Sequence, residues 1–127
     1  MILTVNVRES FWAMVREPQL LINYLRELGV DINEVCREEL INAFNCPPSN
    51  ADDFRTRFFV VSYIYLKVLS QELRELVGSG VIIEELNELL SDVLTDMRLY
   101  SAPPNLMNAV TSIIRDILRL RRWNNDH

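Results

Sequence analysis

Near the middle of the chain, twelve consecutive residues, FFVVSYIYLKVL (Phe58–Leu69), include only two polar side chains, Ser62 and Lys67. A membrane-spanning helix needs about 20 apolar residues, so this run is too short to cross a bilayer. A helix that is apolar on every side lies buried at the centre of a fold, or exposes one face as an interface. The remaining segments must therefore be elements that cover this helix.

Proline and glycine divide the rest of the chain into segments that read as helices. The Pro-Pro pairs within Asn45–Asn50 and Ser101–Asn105 predict loops, and Gly78–Gly80 predicts a third break. Helices are expected at about Glu9–Arg16, Gln19–Phe44 with a division near Gly29 and Asp31, Asn50–Val77, Val81–Leu99, and from Pro104 onwards. Ahead of them, the alternation of Leu3, Val5 and Val7 with polar residues fits a short strand or an extended lead into a helix.

The expected fourth and fifth helices carry apolar stripes at helical spacing. The fourth includes Ile82 and Ile83 in its stripe, with acidic residues on the opposite face, and the fifth ends in a group of arginines. With 127 residues, the chain has the length of one domain. We predict an all-α fold, a compact bundle of about five to seven helices, in a single domain spanning residues 1–127.

Composition argues against a nucleic-acid partner. The net charge is −5, whereas phosphate neutralisation by basic residues supplies most non-specific affinity for nucleic acid. Near the end of the sequence there is a cluster of arginines, Arg115, Arg119, Arg121 and Arg122. Trp123 is the only aromatic residue close to them in sequence, so a solvated helix end is the favoured interpretation. The first ten residues do not resemble a signal peptide.

The residues needed for catalysis are scarce. His127 is the only histidine, and the three carboxylate pairs read as helix caps or solvated faces; they are Glu38-Glu39, Asp52-Asp53 and Glu84-Glu85. Gly78–Gly80 is too short for a phosphate-binding loop and no lysine follows it. We predict no catalytic residue, no metal site, no cofactor and no enzymatic activity. Cys36 and Cys46 allow one disulfide, although two thiols in a reducing compartment are the favoured interpretation.

The segment LLINYLRELGVDINEV (Leu20–Val35) carries the most specific pattern. Leu21, Leu25, Leu28 and Ile32 follow one another at spacings of 4, 3 and 4, which places them on one face of a continuous helix. Gly29 costs a helix interior about 1 kcal/mol relative to alanine, so its presence needs a reason. We expect Gly29 to leave a smooth patch that another helix approaches closely, and Asp31 to reach a cation beside a groove.

This pattern resembles the third Bcl-homology motif of the Bcl-2 family of apoptosis regulators. Within LINYLRELGVDIN the motif positions fall on Leu21, Leu25, Leu28, Gly29, Asp31 and Ile32, while Val30 replaces the family's usual aspartate. The resemblance continues in RELVGSGVIIEELNELLSDVL at Leu76, Gly80 and Val81, where Ile82–Glu85 replaces the family's Asn-Trp-Gly-Arg signature. The segment PPNLMNAVTSIIRDILRLRRW then looks like the helix leading to the second Bcl-homology region, with Trp123 in place of that region's tryptophan.

The resemblance implies a small, divergent member of the kind found in viruses. Such a protein inhibits apoptosis by sequestering the amphipathic death-motif helix of pro-apoptotic Bcl-2 family proteins in a hydrophobic groove. It would act in the host cytoplasm or at the mitochondrial surface, and its membrane association is left open. The residues that the resemblance assigns to the groove are Phe44, Tyr65, Leu69, Leu73, Leu76, Val81 and Glu85. Glu85 stands where the family's arginine pairs with the ligand's aspartate, and Arg55, Arg57 or Arg74 would have to replace that arginine.

Three further interpretations stay open. One is a helical structural or assembly subunit without a ligand groove. Another is homodimerisation, which requires that Phe58, Val61 or Tyr65 expose an apolar patch. In the third, Leu21–Ile32 acts as an exposed ligand helix rather than as a wall of the protein's own groove, although the wall is favoured.

Overall fold

The computed structural model describes residues 4–44, 46–76 and 78–125, with the backbone alone at residues 50 and 121–125. Strand β1 (Thr4–Asn6) leads into α1 (Val7–Arg16), α2 (Pro18–Glu27), α3 (Ile32–Val35) and α4 (Glu39–Asn42). A short 3₁₀ turn (Pro48–Asn50) precedes the long helix α5 (Phe54–Leu76). Strand β2 (Ile82–Glu84), α6 (Leu86–Leu99) and α7 (Pro104–Asn125) complete the described chain. The prediction of a compact, mostly helical bundle is confirmed.

Helix α5 is the buried centre of this bundle. It packs against α1, α2 and α7, and every residue from Phe58 to Leu66 is buried, including Ser62. The apolar run therefore has the central position that its composition predicts. Phe58, Val61 and Tyr65 are at most 3% exposed, so they do not form the surface patch on which the homodimer interpretation depended. In addition, this central helix precedes the Gly78–Gly80 turn, whereas in the Bcl-2 family it follows the corresponding turn.

The first turn of α5 is fixed by the carboxylate of Asp53. One of its oxygens accepts hydrogen bonds from the backbone N–H and the hydroxyl of Thr56, both at 2.9 Å. These bonds hold the pKa of Asp53 below its usual value. Asp53 is therefore a helix cap, as the predicted N-terminus of this helix required.

The segment Val81–Glu85 is not helical, contrary to the expectation of a helix from Val81. Ile82–Glu84 forms β2, which pairs in parallel with β1 so that Val5 lies opposite Ile83. Gly80 and Glu85 have φ angles of +82° and 58°, so left-handed residues stand on both sides of the strand. β-branched side chains favour strands, and β1 offers hydrogen-bonding partners. Ile82 and Ile83 therefore form a strand that pairs with β1, and they are not part of a helix.

The second predicted helix also ends earlier than its stripe implied, because Gly29 terminates α2. Gly29 has a φ of +76°, its N–H donates to the carbonyl of Arg26 (3.0 Å), and the N–H of Val30 donates to that of Leu25 (2.8 Å). This pair of bonds is a Schellman motif, in which glycine supplies the left-handed residue after a helix. A Cβ at Gly29 would meet no atom within 4 Å, so the expected close approach of another helix does not occur.

Side-chain interactions tie the peripheral helices together. The carboxylate of Asp92 on α6 accepts hydrogen bonds from the guanidinium of Arg8 (2.8 and 3.2 Å) and the indole of Trp12 (3.1 Å), both on α1. Next to α4, the carboxylate of Glu38 accepts hydrogen bonds from Tyr63 and Lys67 of α5. Burial alone would raise the pKa of Glu38, but these two hydrogen bonds and the positive charge of Lys67 together outweigh that effect and lower it.

Cys36 and Cys46 form a disulfide, with Cα atoms 5.4 Å apart. The favoured expectation of two free thiols is therefore wrong for this structure. The bond closes the stretch that contains α4 and joins the end of α3 to the loop before the 3₁₀ turn. This stretch has few other anchors: α3 buries no residue completely, and α4 buries only Ile41.

Candidate binding site

A pocket of about 260 Å³ opens where α1, α2, α5 and the two strands meet. We call it the tyrosine pocket. Its described lining residues are Val5, Val7, Ser10, Met14, Tyr24, Tyr65, Leu69, Glu72, Leu76, Val81 and Ile83. Val7, Met14, Tyr65 and Leu69 are buried, while the other lining residues are partly exposed. The site is thus an apolar concavity whose rim is accessible from solvent.

Residue spacing explains why these side chains converge. On α5, Tyr65, Leu69, Glu72 and Leu76 are separated by 4, 3 and 4 residues and therefore share one face of the helix. On α1, the lining residues Val7, Ser10 and Met14 are likewise separated by 3 and 4 residues. Val5 and Ile83 are register partners across the parallel strands, which places both on the same side of the sheet. These three regular surfaces, together with Tyr24 of α2, line the pocket.

Two tyrosines and one carboxylate provide polar groups in the pocket. The rings of Tyr24 and Tyr65 lie 5.9 Å apart, centroid to centroid. Burial raises the pKa of Tyr24 to about 12, with a further contribution from the negative charge of Glu72. Burial also raises the pKa of Tyr65, with a smaller contribution from Tyr24. Both phenols therefore stay neutral at physiological pH, while Glu72 supplies a formal charge.

The structure brings together four of the seven residues that the resemblance assigned to a groove. Tyr65, Leu69, Leu76 and Val81 all line the tyrosine pocket. The other three lie outside its described lining. Phe44 packs against Phe59 with ring centroids 5.8 Å apart, and Leu73 is buried in the core. Glu85 precedes α6 and accepts a hydrogen bond from the side-chain amide of Asn6 (3.0 Å).

The death-motif-like residues are divided between two helices. Leu21 and Leu25 of α2 are completely buried, and Leu28, at the end of that helix, is 36% exposed. Asp31 caps α3 by accepting a hydrogen bond from the N–H of Asn33 (2.9 Å), and Ile32 begins α3. Both residues, with Gly29 and the basic residue Arg26, also line a second, more open concavity of about 360 Å³. The four apolar residues therefore do not share one continuous helix, and the predicted division of this segment near Gly29 and Asp31 is confirmed. Since α2 buries Leu21 and Leu25 and contributes Tyr24 to the pocket, it forms a wall of the site.

The three candidate replacement arginines lie outside the described lining of the pocket. Arg55 donates hydrogen bonds to the carbonyl oxygens of Tyr100 (2.8 Å) and Ser101 (3.2 Å), at the end of α6. Arg57 donates to the carbonyl oxygens of residues 51 and 52 in the loop before α5. Arg74 is exposed on α5. Among the described residues that line the pocket, Glu72 is therefore the one with a charged side chain, a carboxylate.

The remaining sequence predictions concern the C-terminal arginines, a metal site and membrane-spanning helices. Arg115 and Arg119 are exposed on α7, and Arg119 forms an ion pair with Asp116 (3.5 Å). The side chains of Arg121, Arg122 and Trp123 and all of His127 lie outside the described part of the structure. Among the described residues, no group of three or more His, Cys, Asp or Glu side chains has a geometry suited to a metal ion. None of the described helices combines the length and apolarity needed to span a membrane.

Sequence reasoning missed most of the polar character of the pocket. Glu72 had a detectable signal, because it follows the predicted residue Tyr65 by seven positions and so shares its helix face. Tyr24, Ser10 and Met14 had no comparable signal, since their approach to α5 depends on how α1 and α2 pack. Ile83 was assigned to a helix, and its pairing with Val5 depends on contacts distant in sequence.

Comparison with known proteins supplies no relative: no protein-family model matches the chain, and neither the curated proteins nor the solved structures include a significant match.

Proposed function

We propose that this chain is a non-enzymatic binding protein that inhibits apoptosis by capturing a partner's amphipathic helix at the tyrosine pocket. The partners are pro-apoptotic Bcl-2 family proteins, recognised through their death-motif helix. The observation that carries the proposal is the convergence of Tyr65, Leu69, Leu76 and Val81 on one accessible apolar pocket. These residues come from the two segments, on either side of the Gly78–Gly80 turn, that the family resemblance assigned to the groove.

The volume of the pocket limits how the ligand helix engages. At about 260 Å³ it is slightly smaller than the roughly 300–1,000 Å³ of pockets that hold drug-sized molecules. It therefore suits one or two large apolar side chains of the ligand, with the rest of the helix lying along the rim. Each leucine or isoleucine that becomes fully buried contributes about 1.5–3 kcal/mol before entropic costs. Binding then depends strongly on one or two anchor residues.

Calorimetric titration with a panel of synthetic death-motif peptides tests the proposal. We expect submicromolar binding of at least one peptide. Ser10→Phe adds an aromatic ring at the rim of the pocket and should weaken binding by about tenfold or more. Arg16→Phe adds the same ring at an exposed position of α1 outside the described pocket lining, and should leave the affinity unchanged. Thermal unfolding of both variants verifies that they are folded.

The alternative proposal is a structural or assembly subunit that has no helical ligand. The small volume of the pocket favours it, because an extended groove for four ligand side chains would need more space. If the protein is folded and no peptide of the panel shows detectable binding, this alternative is supported and the capture of death-motif helices is contradicted.

A further inference from the structure

The charge at the tyrosine pocket is opposite to the charge that the family resemblance implies. A family groove presents an arginine to an aspartate of the ligand helix. Here Glu72 is the formally charged residue among the described residues that line the pocket. Arg55 and Arg57 are engaged elsewhere, with backbone carbonyl oxygens. A ligand aspartate brought to this rim would face a carboxylate at close range, and like charges at an interface are strongly unfavourable.

The surroundings of Glu72 favour a positive charge. Tyr24 is partly exposed and contributes a neutral aromatic ring to the lining, and the face of such a ring attracts a cation. Tyr65 is 3% exposed, so it belongs to the floor of the pocket. Among the tyrosines in the described part of the chain, Tyr63 alone has a hydroxyl that hydrogen-bonds to another side chain, the carboxylate of Glu38. The hydroxyls of Tyr24 and Tyr65 are therefore free of side-chain partners in that part. A carboxylate, one partly exposed aromatic ring and an apolar floor together match an apolar anchor with a neighbouring basic group.

We propose that the helix captured at the tyrosine pocket carries a lysine or arginine that pairs with Glu72, next to the apolar side chain that fills the pocket. This inference rests on the proposed function and specifies its ligand class, an amphipathic helix with a basic rather than an acidic residue beside its anchor. Charge complementarity supports this pairing, because the pocket provides an acid for the ligand and the described lining has no basic group. The apolar anchor supplies affinity, and the basic residue selects among helices.

Paired peptides test the inference. Each death-motif peptide is synthesised with its natural aspartate and, separately, with lysine at that position, and both forms are titrated into the wild-type protein. We expect the lysine form of at least one peptide to bind about tenfold more tightly than the aspartate form. An aspartate form that binds as well as or better than its lysine partner, throughout the panel, would overturn the inference while leaving the proposed function in place.

Variants of Glu72 then assign the preference to this residue. Glu72→Gln should reduce the lysine preference to near parity, and Glu72→Arg should reverse it in favour of aspartate. Glu75→Arg makes the same charge change at an exposed residue of α5 outside the described pocket lining, so it should preserve the lysine preference. A preference that persists unchanged in Glu72→Arg would overturn the assignment to Glu72. Absence of binding by every peptide, in both forms, would overturn the inference and the proposed function together.

Discussion

At the scale of single residues, Gly29 shows how backbone conformation decides where an element ends. Its left-handed φ allows the N–H groups of Gly29 and Val30 to satisfy two carbonyl groups at the end of α2. The sequence marked this position as special, because glycine is unfavourable inside a helix. The expected reason, a close helix approach, was wrong, since a spacing pattern gives no information about φ. The physical requirement is a change of chain direction.

Replacing Gly29 with alanine should therefore destabilise the protein through its backbone alone. An L-residue with a side chain pays about 1–2 kcal/mol in the left-handed region, and the surrounding space is open, so no steric clash adds to this. We expect Gly29→Ala to lower the free energy of unfolding by about that amount in urea denaturation. Gly29→Asn should cost less, because asparagine tolerates this conformation better. An alanine variant as stable as the wild type would contradict this explanation.

At the scale of elements, the short helices α3 and α4 depend on contacts outside themselves. Four-residue helices cannot stabilise themselves in water, since helix nucleation is costly. The disulfide between Cys36 and Cys46 and the bonds from Tyr63 and Lys67 to Glu38 fasten this stretch to α5 and to the following loop. The stretch between α2 and α5 is therefore held by these cross-links together with the packing of its apolar side chains, such as Ile41, against the core.

Removing the disulfide should lower stability measurably. For a loop closed across a separation of 10 residues, the chain-entropy relation gives about 2–3 kcal/mol. We expect the double variant Cys36→Ser/Cys46→Ser to unfold at lower urea concentration than the oxidised wild type. Dithiothreitol should shift the wild type towards the variant and leave the variant unaffected. Identical urea midpoints for oxidised wild type and variant would show that the cross-link does not stabilise the fold.

Elements whose burial follows from local pattern could be predicted from the sequence, and elements defined by distant partners could not. The apolar run and the Asp53 cap specify α5 without reference to the rest of the chain. Strand β2 needs β1, which lies more than 70 residues earlier, and the periodicity of Ile82 and Ile83 also fitted a helix. The same limit applies to the pocket: its α5 face was predictable, whereas Tyr24 arrives through the packing of α2. The disulfide required proximity that cysteine spacing does not reveal.

At the scale of the whole molecule, three buried or half-buried tyrosines near the core couple stability to alkaline pH. Burial raises the pKa of Tyr24 to about 12 and is the largest cause of the upward shifts at Tyr63 and Tyr65. For Tyr63, its hydrogen bond to Glu38 and the charge of that carboxylate add to the shift. Each phenol therefore holds its proton in the folded protein at pH values where the unfolded chain has released it.

The raised pKa values of these tyrosines should make the folded protein less stable at alkaline pH. Below the ordinary tyrosine pKa of 10.0, both states are protonated and the contribution of these groups is fully present. Above it, the unfolded chain loses protons first, so the free energy of unfolding should fall by up to about 1.4 kcal/mol per pH unit for each tyrosine. Urea denaturation between pH values of about 8 and 11 measures this slope. Tyr65→Phe should make it shallower, and a wild-type stability that stays flat over this range would refute the coupling.

The parallel pairing of β1 with β2 has a consequence for when the tyrosine pocket forms during folding. The two strands begin at Thr4 and Ile82, so their ladder is among the most non-local contacts of the molecule, as are those between α1 and α6. Non-local contacts carry a loop-closure cost and tend to form late in folding. Val5 and Ile83 belong to this ladder and complete one wall of the tyrosine pocket. A nascent or partly folded chain with α5 already helical would thus lack the complete tyrosine pocket, and the proposed ligand could bind only after the two strands have paired.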